Sequence, residues 1–229
     1  MSEFADISLH RVSTAEAVAD ALVGLIVSGV LRSGEPLRES SLSTKLGVSR
    51  NSLREAIRLL ERSRLVKYVI HRGAIVVTPT LADLEDLYRT RRQLELAGVR
   101  EEPNEDQLAA ITRAYDALVS TSQLKTAEPI VAADLALHQA IVDVLGSERL
   151  STFYRQICKE LVFYFTVLSY TDEEYIDPET SIIHRHQGMV EAIVAGDRET
   201  AHDLLADHID ENYERLKEIL TARQAEVSE

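Results

Sequence analysis

A turn followed by a helix with two arginines, at Leu46–Ala56, constrains the fold of this chain more than any other stretch. Gly47 can adopt the positive φ that a sharp turn needs, and Ser49 is a good N-cap for the following helix. Arg50 and Arg54 are four residues apart and share one helical face, while the opposite face is apolar. One face can therefore pack while the other presents cations to phosphates and base edges, as a DNA recognition helix requires.

Charge is divided unevenly along the chain. The net charge is −13, yet residues 1–79 carry 11 Lys and Arg against 8 Asp and Glu, whereas residues 80–229 carry 14 against 30. A basic first part beside an acidic remainder favours nucleic-acid binding at one end. Two differently solvated surfaces would explain the same asymmetry, so charge alone leaves both interpretations open.

Residues 1–79 have the pattern of a winged helix-turn-helix domain. Ser13 and Glu16 form a capping-box pattern at the start of the first helix. His71-Arg72-Gly73 separates two β-rich segments, which is a hairpin signal. We expect residues 1–10 to be frayed. The predicted elements are a helix from Ser13 to the turn near Gly29, helices over 39–46 and 50–63, and strands over 65–70 and 74–78.

The pattern of residues 80–229 predicts helices throughout, arranged as an all-α bundle. The predicted fold class of the whole chain is therefore mainly α. Thr80 with Asp83 should cap the first of these helices, and we expect the tail after Thr221 to be frayed. The helices are predicted over 81–100, 104–124, 128–145, 148–169, 178–195 and 197–223, with joints marked by Gly, Pro, Asn and Asp.

Membrane and secretory signals are missing from the sequence. No apolar run reaches membrane-spanning length, and residues 1–12 lack the pattern of a signal peptide. The single cysteine, Cys158, cannot form an internal disulfide and is expected to be packed in its helix. We therefore expect a cytoplasmic protein with no membrane partner.

Ionisable side chains fall on the apolar stripes of three predicted helices. Asp134 and His138 are one turn apart on one helix, and His186 and His208 lie on two others. Each histidine alone is more often a core residue than a ligand, but burying several ionisable groups together is costly unless something pairs with them. Facing helices of a bundle can build a metal site from such residues. The donors do not rank Zn²⁺, Ni²⁺, Mn²⁺ and Fe²⁺, and we take Zn²⁺ as the first candidate.

Arg91 also lies on an apolar stripe. It could form an internal ion pair with Glu95, or it could point into the pocket and bind a carboxylate with two hydrogen bonds. Tyr164 and Asn212 face the same interior and are further candidates for effector binding. His184 lies on the polar side of its helix and His202 at the edge of a stripe, so neither is expected to take part.

The motifs together resemble the GntR family. Pro36-Leu37-Arg38-Glu39, Leu46-Gly47-Val48-Ser49-Arg50, Leu53-Arg54-Glu55-Ala56 and Arg72-Gly73 resemble its winged-helix domain. The remainder resembles the helical effector domain of the FadR-like branch, called FCD, in its six-helix, VanR-like form. Departures from the family pattern are Leu137 and Ser147, where Phe and Asn are frequent, and Ser40, where an acyl-CoA-responsive member has Arg.

The resemblance implies a homodimeric transcription regulator, expected to be a repressor, that binds a pseudo-palindromic DNA operator. It implies metal ligation by Asp134, His138, His186 and His208, close to a small carboxylate effector such as a sugar acid, hydroxy acid or dicarboxylate. The residues expected to contact DNA are Arg38, Ser49, Arg50, Asn51, Arg54 and Gly73.

Two other functions are compatible with the same residues. A regulator could respond to the metal itself. A metallohydrolase would need an open coordination position and a nearby general base, and no inward-facing glutamate stands out in the three ligand helices. We therefore expect no enzymatic activity.

Overall fold

The computed structural model describes residues 14–28 and 30–228. The chain divides into two compact units, and the boundary lies between Thr78 and Pro79. The predicted Ser13 cap, the segment 1–10 and the break at Gly29 lie outside the described residues. Within the described residues, no helix is long and apolar enough to cross a membrane.

The described part of the first unit contains three helices and a hairpin, as predicted. Gly47 ends the second helix with φ 66°, and Ser49 caps the third helix by accepting a hydrogen bond from the Ser52 N–H. Leu22, Leu53 and Ile57 form the centre of its core. The helices are α1 (Thr14–Val27), α2 (Glu39–Leu46) and α3 (Arg50–Arg62).

The hairpin consists of β1 (Val66–Val69) and β2 (Gly73–Val76), paired antiparallel with Val66 opposite Val76. Both His71 and Gly73 have positive φ, at 64° and 75°. Glycine adopts that conformation without penalty, whereas histidine rarely does. The predicted hairpin turn therefore has two residues with positive φ, Gly73 and His71.

The second unit is a bundle of helices. Thr80 and Asp83 form the predicted capping box at its start. Helix α6 packs between α5 and α7, while α9 packs against α4 and α8. The helices are α4 (Leu81–Arg100), α5 (Glu105–Ser122), α6 (Ala127–Asp143), α7 (Glu148–Thr171), α8 (His184–Ala195) and α9 (Arg198–Ser228).

The last two helices differ from the prediction. A π-helical turn at Glu179–Ile183 precedes α8, and its His184 N–H donates to the carbonyl oxygen of Glu179, five residues earlier. Hydrophobic periodicity does not distinguish such a turn from an α-helix. Helix α9 continues to Ser228 instead of ending at 223, because no Gly or Pro follows Gly196 and the tail is rich in good helix formers.

Helices α4 and α6 lie unusually close together at Gly98. A Cβ atom at this position would clash with the backbone carbonyl of Ile141. Glycine is unfavourable inside a helix, so its presence here is explained by the approach of the two backbones. This approach occurs one turn after Glu95 on α4 and brings that side chain within reach of α6.

Candidate metal centre and nucleic-acid interface

Three histidines from three helices meet in the core of the second unit. His138 on α6, His186 on α8 and His208 on α9 are all buried, and each offers a ring nitrogen within 4.8 Å of the other two. The rings of His138 and His208 are stacked 5.2 Å apart, and His186 meets both edge-on. The structure therefore brings together the three histidines that the sequence placed on separate stripes.

Asp134 adds an oxygen donor to this cluster. Its Oδ1 lies 2.7 Å from His186 Nε2 and 3.9 Å from His138 Nε2. Burial alone would raise the pKa of this carboxyl, but the charge and hydrogen bond of His186 outweigh burial and lower the pKa well below its usual range. An ionised carboxylate beside three imidazoles is a donor set that suits a divalent transition metal.

His138 is oriented by Glu95 of α4. The Nδ1 of His138 lies 2.7 Å from the Glu95 Oε2. Because a carboxylate only accepts, Nδ1 carries the proton and Nε2 is left to face His186, 3.3 Å away. A carboxylate that holds the outer nitrogen of a histidine is the usual second layer of a metal site. Sequence reasoning missed this role of Glu95.

Glu95 also joins Arg91 and Tyr154 to the cluster. It accepts a hydrogen bond from Arg91 Nε at 2.6 Å and one from the Tyr154 hydroxyl, and all three side chains are fully buried. Burial raises the pKa of Glu95, but Arg91 and His138 reverse the effect and lower it to about 2. The carboxylate therefore stays ionised and fixes the orientation of its partners.

Arg91 forms the internal ion pair with Glu95 that was one of its two predicted interpretations. Its Nη2 also lies 3.2 Å from His138 Nε2. The guanidinium lies over the rings of Tyr88 and Phe165, at 5.4 and 5.0 Å from their centroids. Arg91 is thus held rigidly next to the donor cluster.

His186 and His208 are held in different ways. His186 Nδ1 donates to the Ile182 carbonyl at 2.9 Å, and its Nε2 faces the cluster, where it donates to Asp134 Oδ1 at 2.7 Å. His208 Nε2 lies 3.3 Å from Asn212 Nδ2, and its Nδ1 is buried with no hydrogen-bond partner among the described residues. Burial and the nearby histidines lower the pKa of His208, which keeps it neutral and available as a ligand.

A small cavity of about 30 Å³ adjoins the cluster. Asn212 lines it, whereas Arg91 and Tyr164, the other two predicted effector residues, are buried nearby but are not part of its lining. Sequence reasoning also missed polar lining residues on α7, on the segment after it and at the start of α8. These are Ser169, Glu174 and Arg185.

Other candidates of the helical unit lie outside the cluster. His184 is exposed, and His202 pairs with Arg100 at 2.8 Å and with Asp203. Cys158 on α7 is largely buried, and burial followed by the charge of Glu95 raises the pKa of its thiol. This agrees with the expectation that Cys158 is a packing residue.

The first unit presents its cations on one face of α3. Arg50, Asn51 and Arg54 are exposed, whereas Leu53 and Ile57 are fully buried on the other face. Arg54 Nε donates to Glu39 Oε2 of α2 at 2.7 Å. Arg38 at the N-terminus of α2 and Gly73 in the hairpin are also exposed. Each predicted DNA contact is therefore accessible in the described structure.

These observations define a class of protein: a winged helix-turn-helix unit with an exposed cationic helix, joined to a helical unit with a buried polar cluster. The family model for bacterial regulatory proteins of the gntR family matches residues 14–77, and that for the FCD domain matches residues 86–211. The chain therefore belongs to the GntR family and carries an FCD domain. It is a DNA-binding transcriptional regulator, not an enzyme.

Relatives along nearly the whole chain are regulators of the same kind. The chain is 28% identical to a probable D-xylose utilization operon transcriptional repressor of Paenarthrobacter nicotinovorans, over 88% of each chain. It is 25% identical to the gluconate operon transcriptional repressor of Bacillus licheniformis, over 94% of this chain and 90% of the relative.

Solved structures show the same fold. A putative GntR transcriptional regulator from Rhodococcus sp. RHA1 matches with a TM-score of 0.73 and 27% identity, over 88% of this chain and 96% of that one. McbR/YncC of E. coli matches in fold with a TM-score of 0.71 at 22% identity, over 91% of this chain and 99% of that one.

Proposed function

We propose that this regulator is a repressor whose DNA binding is controlled by a small carboxylate that binds beside a divalent metal ion in the helical unit. The observation that carries the proposal is the convergence of His138, His186 and His208 in a buried core, with Asp134 Oδ1 2.7 Å from His186 Nε2. Burying this set without a cation would leave the unpartnered nitrogen of His208 uncompensated.

The donors fit a metal in their positions, and His138 fits one in its tautomer as well. His138 donates from Nδ1 to Glu95 and keeps Nε2 toward the cluster, whereas His186 Nε2 would give up its hydrogen bond to Asp134 on binding the metal. We assign the ligands as Asp134, His138, His186 and His208, with Zn²⁺ first and Ni²⁺, Mn²⁺ or Fe²⁺ as alternatives. When bound, the cation would supply positive charge for an acidic group of the effector.

The effector is proposed to be a sugar acid, a hydroxy acid or a dicarboxylate. The cavity has polar lining residues, including Asn212, beside apolar ones, and Arg91 lies fully buried next to His138. A relative named for the gluconate operon supports a sugar acid as one candidate. A long acyl chain would not need this polar lining.

For DNA, we propose that a homodimer places two copies of α3 on the half-sites of a pseudo-palindrome in the cytoplasm. Arg50, Arg54 and Arg38 would contact phosphates or guanine edges, while Ser49, Asn51 and the backbone at Gly73 would help set the register. The acidic helical unit would be repelled by DNA, which favours docking through the basic face.

The proposal is tested by titrating binding of the full chain to the DNA upstream of its own gene. Fluorescence anisotropy would be followed while metal, chelator and candidate acids are varied one at a time. We expect an acid to release DNA with the metal held constant. His186→Ala, which removes one ligand, should weaken metal binding at least about 100-fold. Mutation of a residue that only orients a ligand already lowers metal affinity about 10- to 100-fold. Retention of stoichiometric metal by that variant would refute the assigned site.

A regulator that senses the metal itself is the second candidate. The specific observation in its favour is the size of the cavity, about 30 Å³, which has room for an ion and water but not for a sugar acid. Release of DNA by chelator alone, with no response to any acid, would favour this alternative.

A further inference from the structure

One ion pair lies on the solvent side of the cavity beside the histidine cluster. Among the described residues that line it, Arg185 and Glu174 are half-buried and the others are buried. Arg185 Nη2 donates to Glu174 Oε1, and their side chains are 31% and 14% exposed. This pair is therefore the part of the lining nearest to the surrounding water.

The size of the cavity requires that part of its lining moves before a sugar acid or diacid can bind. About 30 Å³ accommodates about two water molecules, far less than a four-carbon diacid or a six-carbon sugar acid. The buried lining residues, such as Phe165 and Ile182, belong to the close-packed core and resist displacement. Arg185 and Glu174 can separate without opening that core.

Two donors at the cavity have no hydrogen-bond partner among the described residues: Arg185 Nε and Ser169 Oγ. Buried donors of this kind are rare and call for an explanation. Nε and Nη2 lie on one edge of the guanidinium, and that edge matches the two oxygens of a carboxylate. A carboxylate in the place of Glu174 could accept from both nitrogens and from the Ser169 hydroxyl.

Arg185 lies on a helix, whereas Glu174 lies on irregular backbone. Arg185 lies in the first turn of α8 next to His186, whereas Glu174 lies on the irregular segment 172–178 after α7. The preceding residue, Glu173, is a non-glycine residue with φ 54°, a conformation that side chains rarely adopt. Glu174 is therefore the partner expected to move when the two separate.

We propose that Arg185 binds the carboxylate of the effector, and that Glu174 occupies its place until the effector arrives. The effector exchanges one carboxylate for another, so the arginine keeps a counter-charge, while the remaining oxygens of the effector reach toward Asn212 and the histidines. A neutral sugar could not replace Glu174 without leaving Arg185 unpaired, which gives the site its preference for acids. This inference rests on the proposed function, because it takes the cavity as the effector site.

The exchange is tested by calorimetric titration of the full-length, zinc-loaded protein with D-gluconate, L-malate and L-tartrate, and with glucose as the neutral comparison. We expect at least one acid, but not glucose, to bind the wild type. Arg185→Gln should weaken that acid about 10- to 100-fold, the range for a lost hydrogen bond to a charged group. Glu174→Gln should strengthen it about threefold or more, since the competing charge is gone.

A second ion pair provides matched controls. Asp172 and Arg215 join the same irregular segment to α9, but neither lines the cavity. Asp172→Asn and Arg215→Gln should therefore change the affinity for the acid less than about twofold. If Arg185→Gln fails to fold by circular dichroism, Arg185→Lys keeps the charge without the two-nitrogen edge and should still weaken the acid about fivefold.

The outcomes separate the exchange from the proposed function. Binding of an acid by the wild type that is unchanged in the Arg185 variants would overturn the exchange and leave the effector class intact. An equal or weaker affinity in Glu174→Gln would overturn the role of Glu174. Failure of every acid to bind the wild type would overturn both the effector class and the exchange.

Discussion

The ion pairs at the two candidate sites differ in their exposure to water. In the winged-helix unit, Arg54 and Glu39 are 56% and 29% exposed, so water screens their attraction. In the helical unit, Arg91 and Glu95 are both 0% exposed and share their hydrogen bonds with His138 and Tyr154. An exposed pair contributes little to stability and can be redirected, whereas breaking a buried pair leaves an uncompensated charge.

This difference corresponds to what each unit must bind. DNA is a long polyanion, and exposed arginines that exchange one carboxylate for a phosphate can follow its surface. A small ligand offers few contacts, so its recognition depends on groups that are held in place before it arrives. Most of the following experiments test whether the charges at the two candidate sites differ in this way.

The largest effect is expected from Glu95→Gln in the helical unit. Removing the charge leaves Arg91 buried without a counter-ion, and the free energy of unfolding should fall by about 3–5 kcal/mol. The free energy of unfolding is measured by urea denaturation of the metal-free protein at pH 7, with circular dichroism as the signal. The matched control is Glu85→Gln on the same helix, whose pair with Arg89 is exposed and should contribute less than about 0.5 kcal/mol.

The loss of stability in Glu95→Gln should depend on pH. The pKa of Glu95 is lowered to about 2, against 4.5 for an unperturbed glutamate. Its contribution to stability is therefore complete above pH 4.5 and is lost as the pH falls toward 2. The stability difference between wild type and Glu95→Gln should shrink over that range. A difference that stays constant from pH 7 to pH 3 would contradict the assigned ionisation.

A smaller effect is expected for Arg50→Ala, measured as affinity for operator DNA. Loss of one contact from the exposed face of α3 should weaken binding about 5- to 100-fold. If Arg50 contacts a phosphate, the slope of log affinity against log salt should also fall by about 1. Arg89→Ala, an exposed arginine of the helical unit, serves as the control and should leave both quantities unchanged.

Loss of the N-cap should lower the stability of α3 modestly and locally. Ser49→Ala removes the hydrogen bond from the Ser52 N–H and should destabilise α3 by about 1 kcal/mol. Native-state hydrogen exchange of the α3 amides should then be about fivefold faster. Unchanged protection in α3 would mean that Ser49 does not act as its cap.

The smallest effect is expected for Glu39→Gln. This substitution releases Arg54 from its exposed partner and should strengthen operator binding by about threefold or less. The gain should disappear at high salt because screening already weakens the pair. A large loss of affinity would instead show that Glu39 positions Arg54, and the contrast between the two units would be weaker than we infer.

The sequence predicted features that have a local or periodic signal. The Gly47 turn, the Ser49 cap and the inward positions of Asp134 and His138 follow from spacing alone, and the structure has each of them. The domain boundary after Pro79 and the functional roles of the site residues remain predictions that the comparisons do not test.

Other features depend on contacts between distant segments. The spacing of Arg91 and Glu95 predicts an ion pair on one helix. Nothing in the sequence indicates that Glu95 also contacts His138, 43 residues away. The pairing of Glu174 with Arg185 depends on the irregular segment and π-helical turn between them, which hydrophobic periodicity does not reveal. A glycine in mid-helix, Gly98, was the one available signal for the close approach of α4 and α6.

Cys158 provides a reporter that the protein carries naturally. It is the only cysteine of the chain, its thiol is largely buried, and it lies on α7 one turn after Tyr154. A buried, protonated thiol reacts slowly with alkylating reagents until the surrounding helices separate. The rate of labelling therefore measures how often the helical unit opens, and metal or effector that closes the unit would be detected as protection without any engineered label.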